Sequence, residues 1–281
     1  MSIFHQPPTI YISEVCLRVI DFDKSINFYT SIFGFEVISR TNSYVLLGYN
    51  NNVLLKLVKA KTQKDYASAG LYHIAFLVKE RSSLANWFYY HIKNNPHIFV
   101  GASDHFVSEA IYLEDIDGNG IEVYYDRDYH NWRSINGYVY MTTEMLDLDS
   151  FLKEVTTPTP KLPVDTIIGH LHLSVIDIEK TKSFYNLLGF KEVWKMKNAS
   201  FLSHNNYHHH LGINSWNMQK SKIHQEDDAN IENFVIQYPS EESLNEVLNN
   251  LKLNNCKFLV MKELNHFIIF DPNNIKVILK Y

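Results

Sequence analysis

The chain repeats itself, and no other feature of the sequence constrains its fold as much. Leu17 onward reads LRVIDFDKSINFYTSIFGFEVI, and Leu173 onward reads LSVIDIEKTKSFYNLLGFKEVW. The shared frame is L-x-V-I-D, then K, then F-Y, then G-F. Both copies open on alternating strand residues and reach an Asp suited to N-capping a helix, Asp21 and Asp177. Phe22, Ile26, Tyr29 and Phe33 recur at helical spacing, and Gly34 and Gly189 follow where a left-handed residue ends the helix. A weaker pattern lies inside each half. GLYHIAFLV (70–78) reads as a strand and RSSLANWFYYHIKNN (81–95) as a helix stopped by Pro96. SEAIYLEDIDGNGIEVYYD (108–126) reads as a hairpin around Asp-Gly-Asn-Gly. NIENFVIQY (230–238), ESLNEVLNNLKLNN and NHFIIFDPNNIKVILKY keep the same order in the second half. The expectation is an α+β chain of four strand–helix–strands units paired into two similar domains, 8–130 and 167–281. A Pro- and Thr-rich linker over 131–166, containing TTPTPKLPVD, joins them.

Composition narrows the partners. A formal charge of −5 with no Lys/Arg run argues against nucleic acid. The first residues, MSIFHQPPTIYIS, lack the basic and apolar regions of a signal peptide, and no apolar run is long enough to span a bilayer. Cys16 and Cys256 are the only cysteines, too few for a disulfide framework and suited to a reducing compartment. A soluble, cytoplasmic protein is expected, with neither nucleic acid nor membrane as partner.

Superposing the first strands of the four units, SEVCLRV, LYHIAFLV, GHLHLSV and IENFVIQ, puts Glu14, His73, His170 and Asn233 in one slot. The last strands of the second and fourth units, DIDGNGIEV and DPNNIKVIL, place Glu122 opposite Ile278 in another. A lone His on an apolar strand is more often a satisfied core residue, and a lone strand Glu often faces water. Found together at matched positions, His73, His170 and Glu122 make a metal set. Two His and one carboxylate with open positions is the facial triad of non-haem Fe(II) oxygenases, although zinc, nickel or manganese also suits such donors. His172 lies on the same strand face as His170 and could coordinate instead. The slot match with His73 favours His170 and leaves His172 lining the site. Glu14, Asn233 and Ile278 leave the corresponding site of units one and four without a metal set.

The run NNYHHHLGINSW (205–216) reads as strand-like. On a strand, His208 and His210 would share one face and His209 would take the other, so the triplet cannot grip one ion. His208 and His210 are then read as packing and hydrogen bonding on the far face.

The stretches GLYHIAFLV, GASDHFVSEAIYLEDIDGNGIEVYYDR, IIGHLHLSVID and NYHHHLGINSW resemble the vicinal oxygen chelate superfamily, which is built from paired βαβββ modules. Within it, the chain resembles the two-domain catechol 2,3-dioxygenase group of extradiol ring-cleaving enzymes. The resemblance covers most of the chain in the expected order. It implies His73, Glu122 and His170 as ligands of Fe(II), with a small aromatic diol and dioxygen as reaction partners. It also implies His209 as acid–base catalyst, Tyr112 as the tyrosine ten positions before the glutamate, and His105 as a further active-site histidine. Modules of this kind often assemble, which leaves a homo-oligomer open. The chain departs from the group at Glu14 and Cys16, where a first-strand histidine pattern is typical. It departs again at Asn205 and Asn206, which replace a small-residue turn. Two other activities compete: a glyoxalase-type isomerase or lyase, which would want a further carboxylate or amide ligand, and a metal-free small-molecule-binding resistance protein.

Overall fold

The computed structural model describes residues 2–216, 222–261 and 265–281. The first module runs β1 (Tyr11–Val19), α1 (Phe22–Ile32), β2 (Glu36–Arg40), β3 (Tyr44–Tyr49) and β4 (Asn52–Lys59). The second runs β5 (Gly70–Val78), α2 (Arg81–Asn94), β6 (Phe99–Asp104), β7 (Ser108–Glu114) and β8 (Gly120–Asp126). The connector carries the short pieces β9 (Ser134–Ile135), β10 (Tyr138–Val139), β11 (Glu144–Met145) and α3 (Leu148–Leu152). The third module runs β12 (Ile167–Ser174), α4 (Ile178–Leu187), β13 (Lys191–Met196), β14 (Ala199–Ser203) and β15 (Leu211–Asn214). The fourth runs β16 (Asn230–Gln237), α5 (Glu241–Leu253), β17 (Leu259–Met261), β18 (His266–Phe270) and β19 (Lys276–Lys280).

The helices begin and end where the repeat places them. Asp21 accepts from the Asp23 and Lys24 amides, and Asp177 from the Lys180 amide. These bonds satisfy donors that the first helical turn leaves unpaired. Gly34 and Gly189 have φ of +78° and +99°, a region that a side chain resists.

The sheets are built across the halves of the repeat. One has the order β17-β18-β19-β16-β1-β4-β3-β2 and the other β11-β6-β7-β8-β5-β12-β15-β14-β13. Modules one and four therefore share a sheet, as do modules two and three. The seams are antiparallel: Cys16 pairs with Asn233 across β1 and β16, and His73 with His172 across β5 and β12. Each half contributes one module to each sheet, and the repeated F-Y motif ties the two together. Tyr29 donates to Asp115 in the β7–β8 turn at 2.8 Å, and Tyr185 donates to Asp271 in the β18–β19 turn at 3.2 Å. Asp115 also accepts from the Asp117 and Asn119 amides, so one carboxylate shapes the turn and anchors the helix of the other sheet. The connector is packed rather than free. β11 pairs with β6, and Met141, Phe151 and Leu162 are buried.

One apolar core joins the sheets, with Phe76 of β5 held 5.5 Å from Phe33 and 5.2 Å from Phe35, ring centre to ring centre. Phe76 is fully buried. Phe76→Ala is expected to cost about 3–5 kcal/mol of unfolding free energy, read from the urea midpoint, because this packed junction has little room to collapse. No helix among the described residues is long and apolar enough to cross a membrane.

Candidate metal centre and active site

Ala75 explains how three distant residues meet. On one side it pairs with Glu122 of the parallel strand β8, and on the other with His170 of the antiparallel strand β12. Neighbouring strands lie about 4.8 Å apart, so a methyl group between two longer side chains leaves space for them to converge. His73, two residues earlier on β5, points from the same face. His73 Nε2 lies 3.1 Å from Glu122 Oε2, His170 Nε2 lies 3.4 Å from that oxygen, and the two nitrogens are 3.2 Å apart. Donors bound at about 2.0–2.2 Å to one ion stand roughly 3 Å from each other, so the spacing suits a single ion.

The protonation states suit it too. Burial would raise the Glu122 carboxyl, but His170 and His73 outweigh it and hold the group well below the ordinary carboxylate range. Burial lowers His170 to about 4 against the opposing pull of Glu122. Metal ligands must be deprotonated, and these groups are held that way. Among the described residues, no second group of three His, Cys, Asp or Glu side chains has such spacing. In the other sheet Glu14 is instead paired with Lys280.

A fourth ligand position is closed by glycine. His172 pairs with Gly212 on β15 as Ala75 pairs with Glu122 on β8, so Gly212 holds the position that corresponds to Glu122. A Cβ at Gly212 would stand 2.9 Å from the His172 ring. Glycine thus withholds a carboxylate and makes room for that ring. His172 stays outside the three-donor group, its ring centre 5.0 Å from that of His73, and its buried Nε2 has no hydrogen-bond partner among the described residues.

The three donors line a cavity of about 300 Å³, with Tyr72, Met141, Phe201 and Trp216 also among its walls. His209, Tyr112 and His105 also line it. Tyr112 pairs with Glu122 across β7 and β8, which brings it beside the donors. Its hydroxyl lies 2.6 Å from His105 Nε2, and His105 Nδ1 lies 2.7 Å from the Thr142 carbonyl oxygen. A carbonyl only accepts, so His105 carries its proton on Nδ1 and Tyr112 donates to Nε2. Burial, then Glu122, pushes the Tyr112 hydroxyl well above its ordinary range, so it keeps its proton.

The histidine run is not on a strand, contrary to the alternation argument. β14 ends at Ser203 and β15 begins at Leu211, and the intervening backbone turns at Asn205 and Asn206, both at φ +58°. Asparagine tolerates this left-handed conformation, so the pair does the work of a small-residue turn. The consequence is that His208 and His209 are not opposed: their Nδ1 atoms are 2.8 Å apart. His209 packs with its ring centre 4.0 Å from that of His170 and 5.0 Å from that of Phe201. Burial, then His170 and His208, lowers its pKa well below the ordinary value, which keeps it neutral. His208 Nε2 reaches Asp126 Oδ1 at 2.8 Å, and His210 reaches the Phe4 carbonyl at 2.8 Å.

Sequence reasoning missed Asp126, the Thr142 carbonyl and the meaning of Gly212. Only the last had a signal, because aligning HHHLGIN with GNGIEV puts Gly212 opposite Glu122.

The profile of the Glyoxalase/Bleomycin resistance protein/Dioxygenase superfamily matches residues 11–123 and 167–278. A catechol-2,3-dioxygenase of Bacillus subtilis (strain 168) is 32% identical over an alignment that covers 97% of this chain and 96% of the relative. Glyoxalase I of Zea mays superposes with a TM-score of 0.57 at 17% identity, over 96% of this chain and 92% of that one. The cppA protein of Streptococcus pneumoniae TIGR4 superposes with a TM-score of 0.59 at 11% identity, over 96% and 98%. These likenesses to solved structures speak to the fold. The profile matches both halves of the repeat and the Bacillus relative spans nearly the whole chain, so this protein belongs to the Glyoxalase/Bleomycin resistance protein/Dioxygenase superfamily.

Proposed function

We propose that the protein is an Fe(II)-dependent extradiol dioxygenase that opens the ring of a catechol-like diol. One observation carries the reading: two histidines and a carboxylate converge at a cavity, while Gly212 takes the place where a fourth ligand would stand. A site with three protein ligands leaves neighbouring positions for a chelating diol and dioxygen, which a four-ligand isomerase site has less need of. When bound, Fe(II) supplies Lewis acidity towards both diol oxygens and an electronic path between the ring and triplet dioxygen. The residues of the chain do the rest. His209, neutral and beside the donors, takes the hydroxyl proton of the diol and returns it as the ring opens. Tyr112, held by His105, places a fixed hydroxyl beside the diol oxygens. The apolar walls, Phe201 and Met141 among them, receive the ring and exclude water. The Bacillus relative, a catechol-2,3-dioxygenase by name, supports the substrate class. We assign the protein to the cytoplasm on the same reading.

Anaerobically Fe(II)-loaded protein should turn a panel of catechols yellow in air while consuming oxygen, and Zn(II)- or Ni(II)-loaded protein should not. A glyoxalase-type activity predicts the reverse metal preference and no oxygen uptake, and that outcome would replace this reading.

A further inference from the structure

We propose that Asp126, acting through His208, is a positioning residue that fixes the ring tautomer of His209 and turns an unprotonated Nε2 towards the cavity. The inference rests on the reading of His209 as the proton-handling residue.

The arrangement begins on β8. Glu122 and Asp126 are four residues apart on one strand and so share a face, Glu122 at the donor group and Asp126 at the strand end. Both oxygens of Asp126 are occupied. Oδ1 accepts from His208 Nε2 at 2.8 Å, and Oδ2 accepts from the Tyr207 hydroxyl at 2.8 Å. The Tyr207 oxygen lies 2.6 Å from that of Tyr124, and because Tyr207 gives its proton to Asp126, Tyr124 is the donor between them. Gly169 makes room for this network, since a Cβ there would stand 1.8 Å from the Tyr124 hydroxyl. The network is therefore accommodated by a glycine on the strand that carries His170.

The tautomers follow from the carboxylate end. A carboxylate only accepts, so His208 carries its proton on Nε2. In the neutral ring Nδ1 is then an acceptor, and its partner at 2.8 Å, His209 Nδ1, must donate. With Nδ1 protonated and turned to His208, His209 offers its Nε2 lone pair to the cavity it lines. Neither end of this chain is a metal donor, and of its members only His209 lines the cavity that holds the donors. The loop turn at Asn205 and Asn206 is what makes it feasible, because adjacent residues of a strand could not bring their rings together.

The test uses protein labelled with ¹⁵N-histidine and loaded with Zn(II), whose long-range proton–nitrogen correlations separate the two tautomers. His209 is assigned by its loss in His209→Gln. Wild-type His209 should be protonated on Nδ1. His208→Leu, which removes the acceptor, should shift His209 towards the Nε2-protonated form. His208→Asn, whose Oδ1 can take the place of Nδ1, should retain the wild-type form. Asp126→Ala should shift His209 in the same direction as His208→Leu, and it keeps the test open should that variant not fold. With Fe(II), His208→Leu should lower kcat by about 10²–10⁴-fold, the range that a correctly positioned general acid or base contributes, with KM within about twofold. His208→Asn should recover most of the loss. An Nε2-protonated His209 in the wild type, or an unchanged tautomer in His208→Leu or Asp126→Ala, overturns the proposal. Wild-type protein that has the stated tautomer but opens no diol counts against ring cleavage and not against this arrangement.

Discussion

His73→Ala, His170→Ala and Glu122→Ala should each leave the protein with less than a tenth of an equivalent of Fe(II) after anaerobic loading and desalting, against close to one for the wild type. Glu122 contributes the only negative charge of the group, and its oxygen lies within 3.4 Å of both imidazole nitrogens. Without it, two imidazole rings alone face a divalent cation in a buried site. Changes that only disturb the partners of a ligand weaken binding about 10–100-fold, so loss of a ligand should exceed that range. The decisive contrast is His172→Ala. It removes a ring that lines the same cavity but stands outside the donor group, so its iron should remain. Iron retained in His170→Ala but lost in His172→Ala would exchange the roles of the two histidines. The alanine variants should still fold, and Glu122→Ala removes a buried carboxylate rather than stranding one. Circular dichroism and the urea midpoint check this before any iron measurement.

His209→Ala should behave in the opposite way. The iron stays, because His209 packs against His170 without joining the donors. Turnover should fall about 10²–10⁴-fold, the range that a positioned general acid or base contributes. Most of the loss should appear in kcat, since the ring lies between His170 and Phe201 and moves a proton rather than anchoring the diol. Stoichiometric iron together with near-normal turnover would remove His209 from the chemistry. A parallel loss of iron would mean that His209 supports His170 instead.

Much of this architecture is readable in the chain because it is local. An Asp before a helix, a glycine after it and an alternating strand depend on neighbours a few residues away. Asp21, Asp177, Gly34 and Gly189 behave accordingly. The matched slots of His73, His170 and Glu122 were readable for a related reason. A repeat carries its own alignment, and strand register turns matched positions into matched directions. The pairing of modules across the halves was readable only through the metal set, which joins His73 and Glu122 of the second unit to His170 of the third, because the apolar strand faces alone suit either arrangement. The histidine run misled for a physical reason. Its composition fits a strand, but two asparagines in the left-handed region bend the backbone and bring adjacent rings together. Asp126 reaches His208 across 82 residues, and His105 reaches Thr142 across 37. Contacts of that kind leave no periodic trace.

The central claim is that a three-ligand site carries out an oxidation on a diol. The measurement that tests it most directly is a single turnover under defined oxygen. Fe(II)-loaded protein is mixed anaerobically with a limiting amount of catechol, then given ¹⁸O₂, and oxygen uptake and the mass of the product are read together. The account predicts one O₂ consumed per diol, an acyclic yellow product that has gained ¹⁸O, and no uptake by the Zn(II)-loaded protein. Fully iron-loaded protein that binds diols yet consumes no oxygen, or releases an isomer of its substrate without label, would contradict it.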